Sequence, residues 1–374
     1  MKKWIRTALG IVAVTLFAVV VTEVAARVGR AVVLRREGLL PAPSRTALSG
    51  LSESQWLDYD RLPVGELKPY VEFAPRAHYR SATVNTNERG FRGHAVQSPK
   101  PSGRVRIVVL GGSAAFGSGA SSDAATFPAR LEAALRARSQ RDVEVVNAGA
   151  PAYVSGQELT RLTFEVLDLE PNVVIVYNGF NDLNSPLLFD PRPGYPSNFS
   201  WLERTAQFNS FRRLLAYRIQ LGVHESGLGF WARRAAGVRD GVPLAAPAAD
   251  AGILETYRRN LERMVVLLQA RGVRVVCVFQ PTLLAKRRRT AAEDEVVAYM
   301  ERRHPGYARR LVALLPGAVE AMRQVTSARG VAFVDLSSVF DDAAETIFFD
   351  TAHVTDRGNA LIAERLAPET EKLL

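Results

Sequence analysis

Cysteine is almost absent from this chain, which has one in 374 residues, and histidine is scarce, with five. The single cysteine, Cys277, excludes an intrachain disulfide framework and a zinc site built from cysteines. Because it lies in an apolar run at 275–279, we interpret it as a small buried hydrophobic residue. Four of the histidines show no spacing typical of metal ligands, so the sequence indicates neither a metal nor another cofactor. They are His78, His94, His224 and His304.

The glycine-rich stretch at 111–119 lacks the features of nucleotide-binding loops. It has no Gly-Lys-Ser/Thr ending, which a phosphate-binding P-loop needs, and no third glycine of the dinucleotide fingerprint. It also lacks the Gly-x-Ser-x-Gly pattern of α/β-hydrolases, because Ala115 occupies the last position. These absences argue against a phosphate-binding loop, a dinucleotide-binding loop and the nucleophile turn of an α/β-hydrolase.

Basic residues outnumber acidic ones, and the formal net charge is +10. Such a charge would suit nucleic acid or an anionic membrane as a partner. The arginines are spread along the chain, however, and the clusters at 233–234 and 286–289 lack interleaved aromatic residues and known nucleic-acid-binding motifs. We therefore interpret the charge as a solvated arginine-rich surface and expect no nucleic-acid partner.

A long apolar run stands at the N-terminus, at 8–21, after Lys2, Lys3 and Arg6. This pattern predicts a membrane-targeting segment. Extended to residue 26 the run has nineteen residues, close to the ~20 that a spanning helix needs. We predict an anchor at 1–36, with cleavage at the weak signal-peptidase site 24–26 as the alternative. A stalk and lead-in segment at 37–103 follows, with a linker at 40–50.

From residue 104 onward, β-branched runs alternate with helical patterns. This alternation predicts one three-layer α/β/α domain at 104–374, built on a flavodoxin-like parallel sheet of five strands. A long segment at about 184–250 interrupts the alternation and contains nine aromatic residues. We interpret it as an inserted helical or loop cap. Most of its aromatic residues are expected to pack, and lining an acyl or sugar site is the alternative.

Capping residues and prolines predict where the helices begin and end. Thr126 can cap a helix at 127–138, and capping boxes begin at Ser155 and at Thr290. Two later helices are expected to break at Pro316 and at Pro368. The strands are predicted at 105–110, 143–146, 173–177, 273–279 and 331–334.

Three residues with complementary chemistry stand at loop positions in this domain. Ser113 follows the first predicted strand, at the carboxyl edge where open α/β sheets bind ligands. Asp350 and His353 are three residues apart, which places both side chains on one side of a single turn. A serine nucleophile needs a base to take its proton, and the base needs a carboxylate to orient it. We predict that Ser113, His353 and Asp350 have these roles.

Two further segments, NAGAPAY at 147–153 and NGFND at 178–182, each follow a predicted strand. With them the chain resembles the SGNH, or GDSL-like, hydrolase superfamily over about 104–366. Ser113 matches the first block of that family, and Asp350 with His353 matches the last block. Asn181 matches the asparagine of the third block. The resemblance implies a serine hydrolase with the fold predicted above.

The first and second blocks depart from the family pattern. Gly112 replaces the aspartate of Gly-Asp-Ser, as in the membrane-anchored bacterial branch that this sequence looks most like. The resemblance implies an oxyanion hole made of the N–H of Ser113, a second-block N–H and the amide of Asn181. The glycine of the second block is expected near position 152, where this chain has Ala152. Alanine can donate the same backbone N–H if its φ and ψ are unstrained. Gly149 is the alternative donor.

The piece ATVNTNERGFRG at 82–93 resembles a segment that precedes the catalytic domain in the same branch. Asn87, Gly90 and Arg92 stand at its characteristic positions. We interpret them as structural turn residues, with substrate contact as the alternative.

The implied function is an esterase that works through an acyl-serine intermediate. The substrate would be an O-acetyl or other acyl ester of a cell-envelope carbohydrate or lipid, on the extracytoplasmic side of a bacterial membrane. If the N-terminal segment is cleaved, the protein is secreted. Two alternatives stay open: an acyltransferase that acylates an envelope polysaccharide, and a scaffold that keeps the fold without turnover.

Overall fold

The computed structural model describes residues 2–37, 51–61, 64–139, 141–197, 199, 202–203, 211–237 and 250–374. The chain divides into two compact units: Met1–Pro43 with Ser200–Val242, and Ser44–Phe199 with Pro243–Leu374. The whole of the predicted linker lies outside the described residues, and so do 198, 200–201, 204–210 and 238–249 of the predicted insertion. The second unit carries every predicted site residue.

The strands of the second unit form a two-stranded antiparallel hairpin and a five-stranded parallel sheet. The hairpin consists of β1 (Val64–Lys68) and β2 (Glu72–Pro75). The parallel sheet has the order β4-β3-β5-β6-β7, which is the predicted flavodoxin-like order. Its strands are β3 (Val105–Gly111), β4 (Val143–Gly149), β5 (Val173–Asn178), β6 (Arg274–Phe279) and β7 (Ala332–Asp335).

Helices precede, connect and follow these strands. In chain order they are α1 (Lys2–Arg36), α2 (Glu53–Arg61), α3 (Ser113–Phe116), α4 (Phe127–Arg138), α5 (Ser155–Arg161), α6 (Phe180–Leu188), α7 (Phe211–Glu225), α8 (Gly227–Ala235), α9 (Asp250–Ala270), α10 (Ala291–Arg303), α11 (Tyr307–Arg329) and α12 (Asp356–Glu371).

Helices cover both faces of the parallel sheet. Alternate residues of β3 divide between two apolar cores, because successive side chains of a strand point to opposite faces. Val108 and Leu110 pack in a core with α6, α9 and α11. Ile107 and Val109 pack in the other core, with α4 and α12. The predicted three-layer α/β/α fold is therefore confirmed.

The register of the sheet brings the carboxyl ends of its strands to one edge. Gly111 at the end of β3 pairs with Gly149 on one side and with Tyr177 on the other. Phe279 at the end of β6 pairs with Asn178 and with Asp335. The loops that follow these strands therefore start side by side, and they contain the predicted site residues.

The two predicted helix breaks are wrong. Pro316 lies inside α11 and Pro368 inside α12, and both helices continue past them. A proline removes one backbone hydrogen bond from a helix. Leu315 and Ala318 are buried on either side of Pro316, and Ala367 is buried just before Pro368. Packing of these apolar faces against the sheet holds the helices together across the prolines.

Two of the three predicted helix caps occur as expected. The side chain of Thr126 caps α4, and Thr290 begins a capping box at the start of α10. The prediction for Ser155 is wrong, because α5 begins at Ser155 and Val154 is the capping position. The hydroxyl of Ser155 instead donates a hydrogen bond to Asp182, which lies on a different helix.

The turn residues of the lead-in segment have structural contacts. A Cβ at Gly90, where φ is +76°, would lie 2.3 Å from a carbonyl oxygen of β2. The side-chain oxygen of Asn87 accepts the N–H of Phe91 at 3.0 Å. Arg92 is buried and donates to the carbonyl oxygen of Gly117, just beyond α3, at 2.6 Å. These contacts support the interpretation that the three residues shape the backbone.

The first unit consists of α1, α7 and α8, and α8 packs on α1. Of the helices in the described residues, α1 is long and apolar enough to cross a membrane. The central part of the predicted insertion thus groups with the N-terminal segment, whereas 184–199 belongs to the α/β unit. The domain boundaries proposed from the sequence remain predictions.

Candidate active site

The nucleophile loop joins the end of β3 to α3, which begins at Ser113. A Cβ at Gly111 would lie 2.2 Å from the carbonyl oxygen of Tyr177 in β5, and one at Gly112 would lie 2.4 Å from Nδ2 of Asn181. The φ of Gly112 is −82°, which other residues also adopt. The two glycines are therefore needed for the close approach of β5 and Asn181, rather than for a sharp turn.

The three predicted catalytic residues form one chain of hydrogen bonds. Nε2 of His353 lies 2.7 Å from Oγ of Ser113, and Nδ1 lies 2.6 Å from Oδ2 of Asp350. Because a carboxylate only accepts hydrogen bonds, Nδ1 carries the imidazole proton and Nε2 accepts the hydroxyl proton of Ser113. This is the arrangement in which a serine can lose its proton to a base. No group of three or more potential metal-binding side chains occurs among the described residues.

Asp350 has two separate roles in its loop. Its Oδ1 accepts the backbone N–H groups of Ala352 at 2.8 Å and of His353 at 2.7 Å, which fixes the turn. Its Oδ2 accepts from the imidazole. Burial alone would raise the pKa of this carboxyl, but the His353 charge and the hydrogen bonds together lower it to about 2. Asp350 is therefore ionised throughout the range in which histidines titrate.

Tyr59 of α2 is a contact of the site that the sequence analysis missed. Its hydroxyl donates to Oδ2 of Asp350 at 2.6 Å, and its ring lies edge-on to His353 with centroids 5.4 Å apart. Trp56 and Phe349 complete the aromatic cluster that holds α2 on the catalytic loop. Tyr59 and Asp350 are 291 positions apart, so no local pattern could have linked them.

Replacing Tyr59→Phe should lower kcat by about tenfold, because a hydrogen bond to a charged group contributes about 1.5–3 kcal/mol. The control is Tyr70→Phe, since Tyr70 is exposed and stacks on Phe164. Equal kinetics for the two variants would contradict a positioning role.

Three N–H groups named in the sequence analysis keep a hydrogen that no described residue accepts. Nδ2 of Asn181 donates one hydrogen to the carbonyl oxygen of Tyr153 at 2.8 Å, which leaves its second hydrogen for another acceptor. Within the described part of the chain, the backbone N–H groups of Ser113 and Ala152 have no acceptor. The sequence analysis named these three groups as oxyanion donors, and that role stays a prediction.

The second block differs from the expectation in two respects. Ala152 has φ +64°, in the left-handed region, so its backbone is strained by about 1–2 kcal/mol rather than unstrained. A glycine at this position would avoid the strain. The N–H of Gly149 already donates to the side-chain oxygen of Asn147 at 3.0 Å. While this bond holds, the N–H of Gly149 is not free for an oxyanion, and its role as the alternative donor stays a prediction.

A buried polar cluster ties the second block to the third. The N–H and the hydroxyl of Ser155 both donate to Asp182, the residue after Asn181. Asn260 of α9 donates to the hydroxyl of Ser155 at 3.0 Å. Burial raises the pKa of Asp182 to about 6, and its bonds to Ser155 oppose that shift. The loop that carries Ala152 and the helix that carries Asn181 are thereby held together.

The Gly112→Ala substitution should lower kcat with little change in KM. The new Cβ would lie only 2.4 Å from Nδ2 of Asn181, which is too close, so the amide must move. Loss of one oxyanion donor costs about 10²–10³ in kcat in a known protease. Gly222→Ala in α7 is a suitable control, because nothing lies within 4 Å of a Cβ placed there and a helical backbone accepts alanine. A Gly112→Ala enzyme with unchanged kcat would show that Asn181 is not held by this contact.

Comparison with solved structures found similar folds at low sequence identity. An alpha/beta hydrolase enzyme from the metagenome of Lake Arreo, Spain, is 15% identical, with 72% of this chain and 96% of that chain covered and a TM-score of 0.42. A lipase/acylhydrolase from Enterococcus faecalis is 16% identical, with 72% and 96% covered and a TM-score of 0.41. A catalytic mutant of an acetylxylan esterase from Geobacillus stearothermophilus is 12% identical, with 71% and 93% covered and a TM-score of 0.41.

Comparison with curated proteins found no match. The model of the GDSL-like Lipase/Acylhydrolase family, in contrast, matches residues 109–361. This range begins in β3, includes Ser113 and Asn181, and ends in α12 after His353. Because the match spans most of the chain, the protein belongs to the GDSL-like lipase/acylhydrolase family and is an esterase/acylhydrolase that acts on ester bonds.

Proposed function

We propose that this enzyme cleaves its ester through an acyl intermediate on Ser113. The observation that carries the proposal is the continuous chain of hydrogen bonds from Asp350 through His353 to the serine hydroxyl. As Oγ attacks the ester carbonyl, its proton passes to Nε2 of His353. The carbonyl C=O electrons move to oxygen, and Asp350 stabilises the imidazolium that forms.

The tetrahedral intermediate then loses its alcohol. His353 donates its proton to the departing oxygen as the C–O bond breaks, which leaves the acyl group on Ser113. A water molecule gives a proton to His353 and attacks the acyl carbon. Breakage of the acyl–Oγ bond, with return of that proton to the serine, releases the acid. In both halves of the reaction the imidazole alternates between base and acid.

The negative oxygen of the intermediate is proposed to accept three hydrogen bonds. They come from the N–H of Ser113, the N–H of Ala152 and the free amide hydrogen of Asn181. This assignment is supported by the absence of other acceptors for the two backbone groups within the described residues. Donors fixed in place before the reaction stabilise the developing charge without reorganisation.

The substrate is proposed to be an O-acetyl or other acyl ester of a cell-envelope carbohydrate or lipid. Two features support an envelope location: the apolar helix α1, and Gly112 in the first block, as in the membrane-anchored branch that the sequence resembles. We place the α/β unit on the extracytoplasmic side. An acyltransferase is the second candidate, because a sugar hydroxyl in place of water would take the acyl group. A scaffold without turnover is disfavoured by the intact hydrogen-bond chain.

A fluorophosphonate probe followed by a substrate panel tests these functions together. If the protein is an esterase, mass spectrometry should find the probe attached to Ser113, and the protein should hydrolyse p-nitrophenyl acetate and acetylated sugars. Ser113→Ala is the control for labelling. Labelling without hydrolysis, but with transfer to an added glycan, would favour the acyltransferase. Absence of both labelling and turnover would support the scaffold.

Activity should fall on acidification with a single protonation. His353 must be neutral to accept the serine proton, and histidines ordinarily titrate between about pH 5 and 8. The lowered pKa of Asp350, about 2, keeps that carboxylate charged over this range. Its charged form stabilises the fold above its ordinary pKa, and this contribution is lost as the pH falls through about 2. We expect kcat/KM to follow one proton while the melting temperature stays level. An acid limb with a two-proton slope would contradict this.

A further inference from the structure

We infer that α7 and α8 associate with the membrane together with an uncleaved α1. In this arrangement α8 packs on the C-terminal half of α1, and the apolar side of α7 lies in the phospholipid bilayer beside it. The inference concerns the first unit alone and is independent of the esterase mechanism. It rests on the contacts between α1 and α8 and on the apolar surface that α1 and α7 leave exposed.

The single acidic residue of α1, Glu23, binds the start of α8. Its carboxylate accepts the backbone N–H groups of Gly227 at 2.8 Å and Leu228 at 3.2 Å. Arg27, one turn later in α1, donates to the same carboxylate at 2.6 Å. The first N–H groups of a helix have no partner inside the helix. A carboxylate in an apolar segment is costly unless it is paired, and α8 supplies the needed partners.

Small residues let the two helices approach closely. A Cβ at Gly227 would lie 2.6 Å from the backbone nitrogen of Arg27, so only glycine fits there. Gly29 faces the ring of Trp231, and a Cβ at Gly29 would lie 3.3 Å from that ring. The indole N–H of Trp231 donates to the carbonyl oxygen of Ala26 at 3.0 Å. Close packing over small residues is the common way in which helices associate in membranes.

Polar contacts continue along the same side of α1. Arg30 donates to the carbonyl oxygen of Glu225 at 3.3 Å, and its guanidinium lies 5.2 Å from the ring centroid of Phe230. Farther on, Arg234 forms an ion pair with Glu37. The side of α1 from residue 23 onward is therefore a protein-packing surface.

These contacts argue against removal of α1 as a signal peptide. The weak cleavage site at 24–26 lies inside the segment that contacts α8. Cleavage after residue 26 would remove Glu23 from the start of α8 and the carbonyl oxygen that Trp231 binds. The sequence left the choice between anchor and signal peptide open, and the packing favours the anchor.

The first part of α1 exposes its apolar side chains. Leu9, Val14 and Phe17 are 63%, 70% and 71% exposed. None of the residues in the candidate span's apolar window is buried by the described protein. Such a surface is unfavourable in water and is typical of a helix that contacts lipid.

A second apolar surface lies on α7, which only Ser226 separates from α8. Phe211, Leu215, Ile219 and Val223 follow one another at four-residue spacing and therefore lie along one side of the helix. They are 76%, 47%, 58% and 60% exposed. A long exposed apolar stripe indicates a partner. Because α8 packs on both α1 and α7, and Arg30 of α1 binds the last residue of α7, Glu225, the end of α7 lies at the helix that can span the membrane, and we assign the bilayer as the partner. Arg212 and Arg218, which are exposed on α7, suit anionic headgroups.

A lipid-quenching experiment on the full-length protein tests this placement. A fluorophore is attached at Ile219→Cys, and the protein is placed in phosphatidylcholine–phosphatidylglycerol vesicles with nitroxide-labelled acyl chains. The native Cys277 is fully buried, so it should not react. The Ile219 label should lose fluorescence as strongly as a label at Val20→Cys in α1. A label at Glu364→Cys on α12 serves as the control in water. Quenching at position 20 but not at 219 would overturn the inference.

A pair of glycine variants tests the helix packing. Gly227→Leu should abolish quenching at position 219, because its side chain would overlap the backbone of α1. Gly222→Leu is the matched control, since nothing lies within 4 Å of a Cβ placed there. Equal quenching in both variants would contradict the packing. Hydrolysis of soluble p-nitrophenyl acetate should be unchanged in both, which separates failure of this inference from failure of the proposed catalytic mechanism.

The mass of the membrane-extracted protein tests retention of α1. An intact chain that includes residues 1–26 is expected. A mature chain that begins at Arg27 would overturn the inference, because Glu23 and Ala26 would then be absent from the protein that folds around α8.

Discussion

Ser113→Ala is expected to abolish turnover, with a fall in kcat of about 10⁶, as in a serine protease that loses its nucleophile. The same variant should lose fluorophosphonate labelling. Its melting temperature should change little, because the removed hydroxyl makes one hydrogen bond, to Nε2 of His353, and such a bond contributes about 1 kcal/mol. The measurements are kcat, probe labelling and thermal unfolding on the same preparation.

Ser118→Ala is the matched control for the nucleophile variant. Ser118 is buried just beyond α3, five residues after Ser113, and its hydroxyl has no hydrogen-bond partner within the described structure. Its loss should leave kcat and labelling intact. If Ser113→Ala kept normal turnover, Ser113 would not be the nucleophile, and the hydrogen-bond chain would have another role.

Asp350→Asn is expected to lower kcat by about 10⁴, by analogy with the serine-protease precedent. The backbone N–H groups of Ala352 and His353 bind Oδ1 of Asp350, so they favour the amide oxygen at that place. The amide NH₂ then faces Nδ1 of His353 and can only donate to it. The imidazole must therefore carry its proton on Nε2, where it can no longer accept the proton of Ser113.

Stability separates this effect from a loss of the turn. Asparagine keeps the oxygen that fixes the turn and loses only the stabilising charge, so Asp350→Asn should stay folded, with a smaller fall in melting temperature than Asp350→Ala, which loses the turn as well. Asp356→Asn provides a control, because Asp356 begins α12 and accepts from Ser121 rather than from His353. If Asp350→Asn retained activity within tenfold of the parent, Asp350 would serve the turn alone.

The sheet and its order were accessible from the sequence because they depend on repeated local patterns. The β-branched runs that become β3, β4 and β5 are buried along their whole length or nearly so, as a parallel sheet between two helix layers requires. Ser113, Asn181 and His353 could be selected because each lies in a short motif after a strand. Asp350 could be paired with His353 because three residues separate them.

The predictions of helix ends failed at two prolines and one capping residue, because tertiary packing there is stronger than the local preference of the residue type. Pro316 and Pro368 stay within helices because the surrounding side chains are buried. Ser155 has the residue type of a helix cap, but its hydroxyl reaches Asp182 across a buried contact. Local propensities of about 1 kcal/mol are smaller than the burial of a few apolar side chains.

The sequence by itself determined the fold class, the order of the blocks and the chemistry available at the carboxyl edge of the sheet. Only the tertiary structure decided that Tyr59 supports Asp350, that Asn181 occupies the space above Gly112, and that Ala152 takes a left-handed backbone. It also brought Glu23 to the start of α8. Hydropathy periods and short motifs arise from neighbouring residues, whereas these contacts join residues far apart in the chain, so their positions are set by how the elements pack.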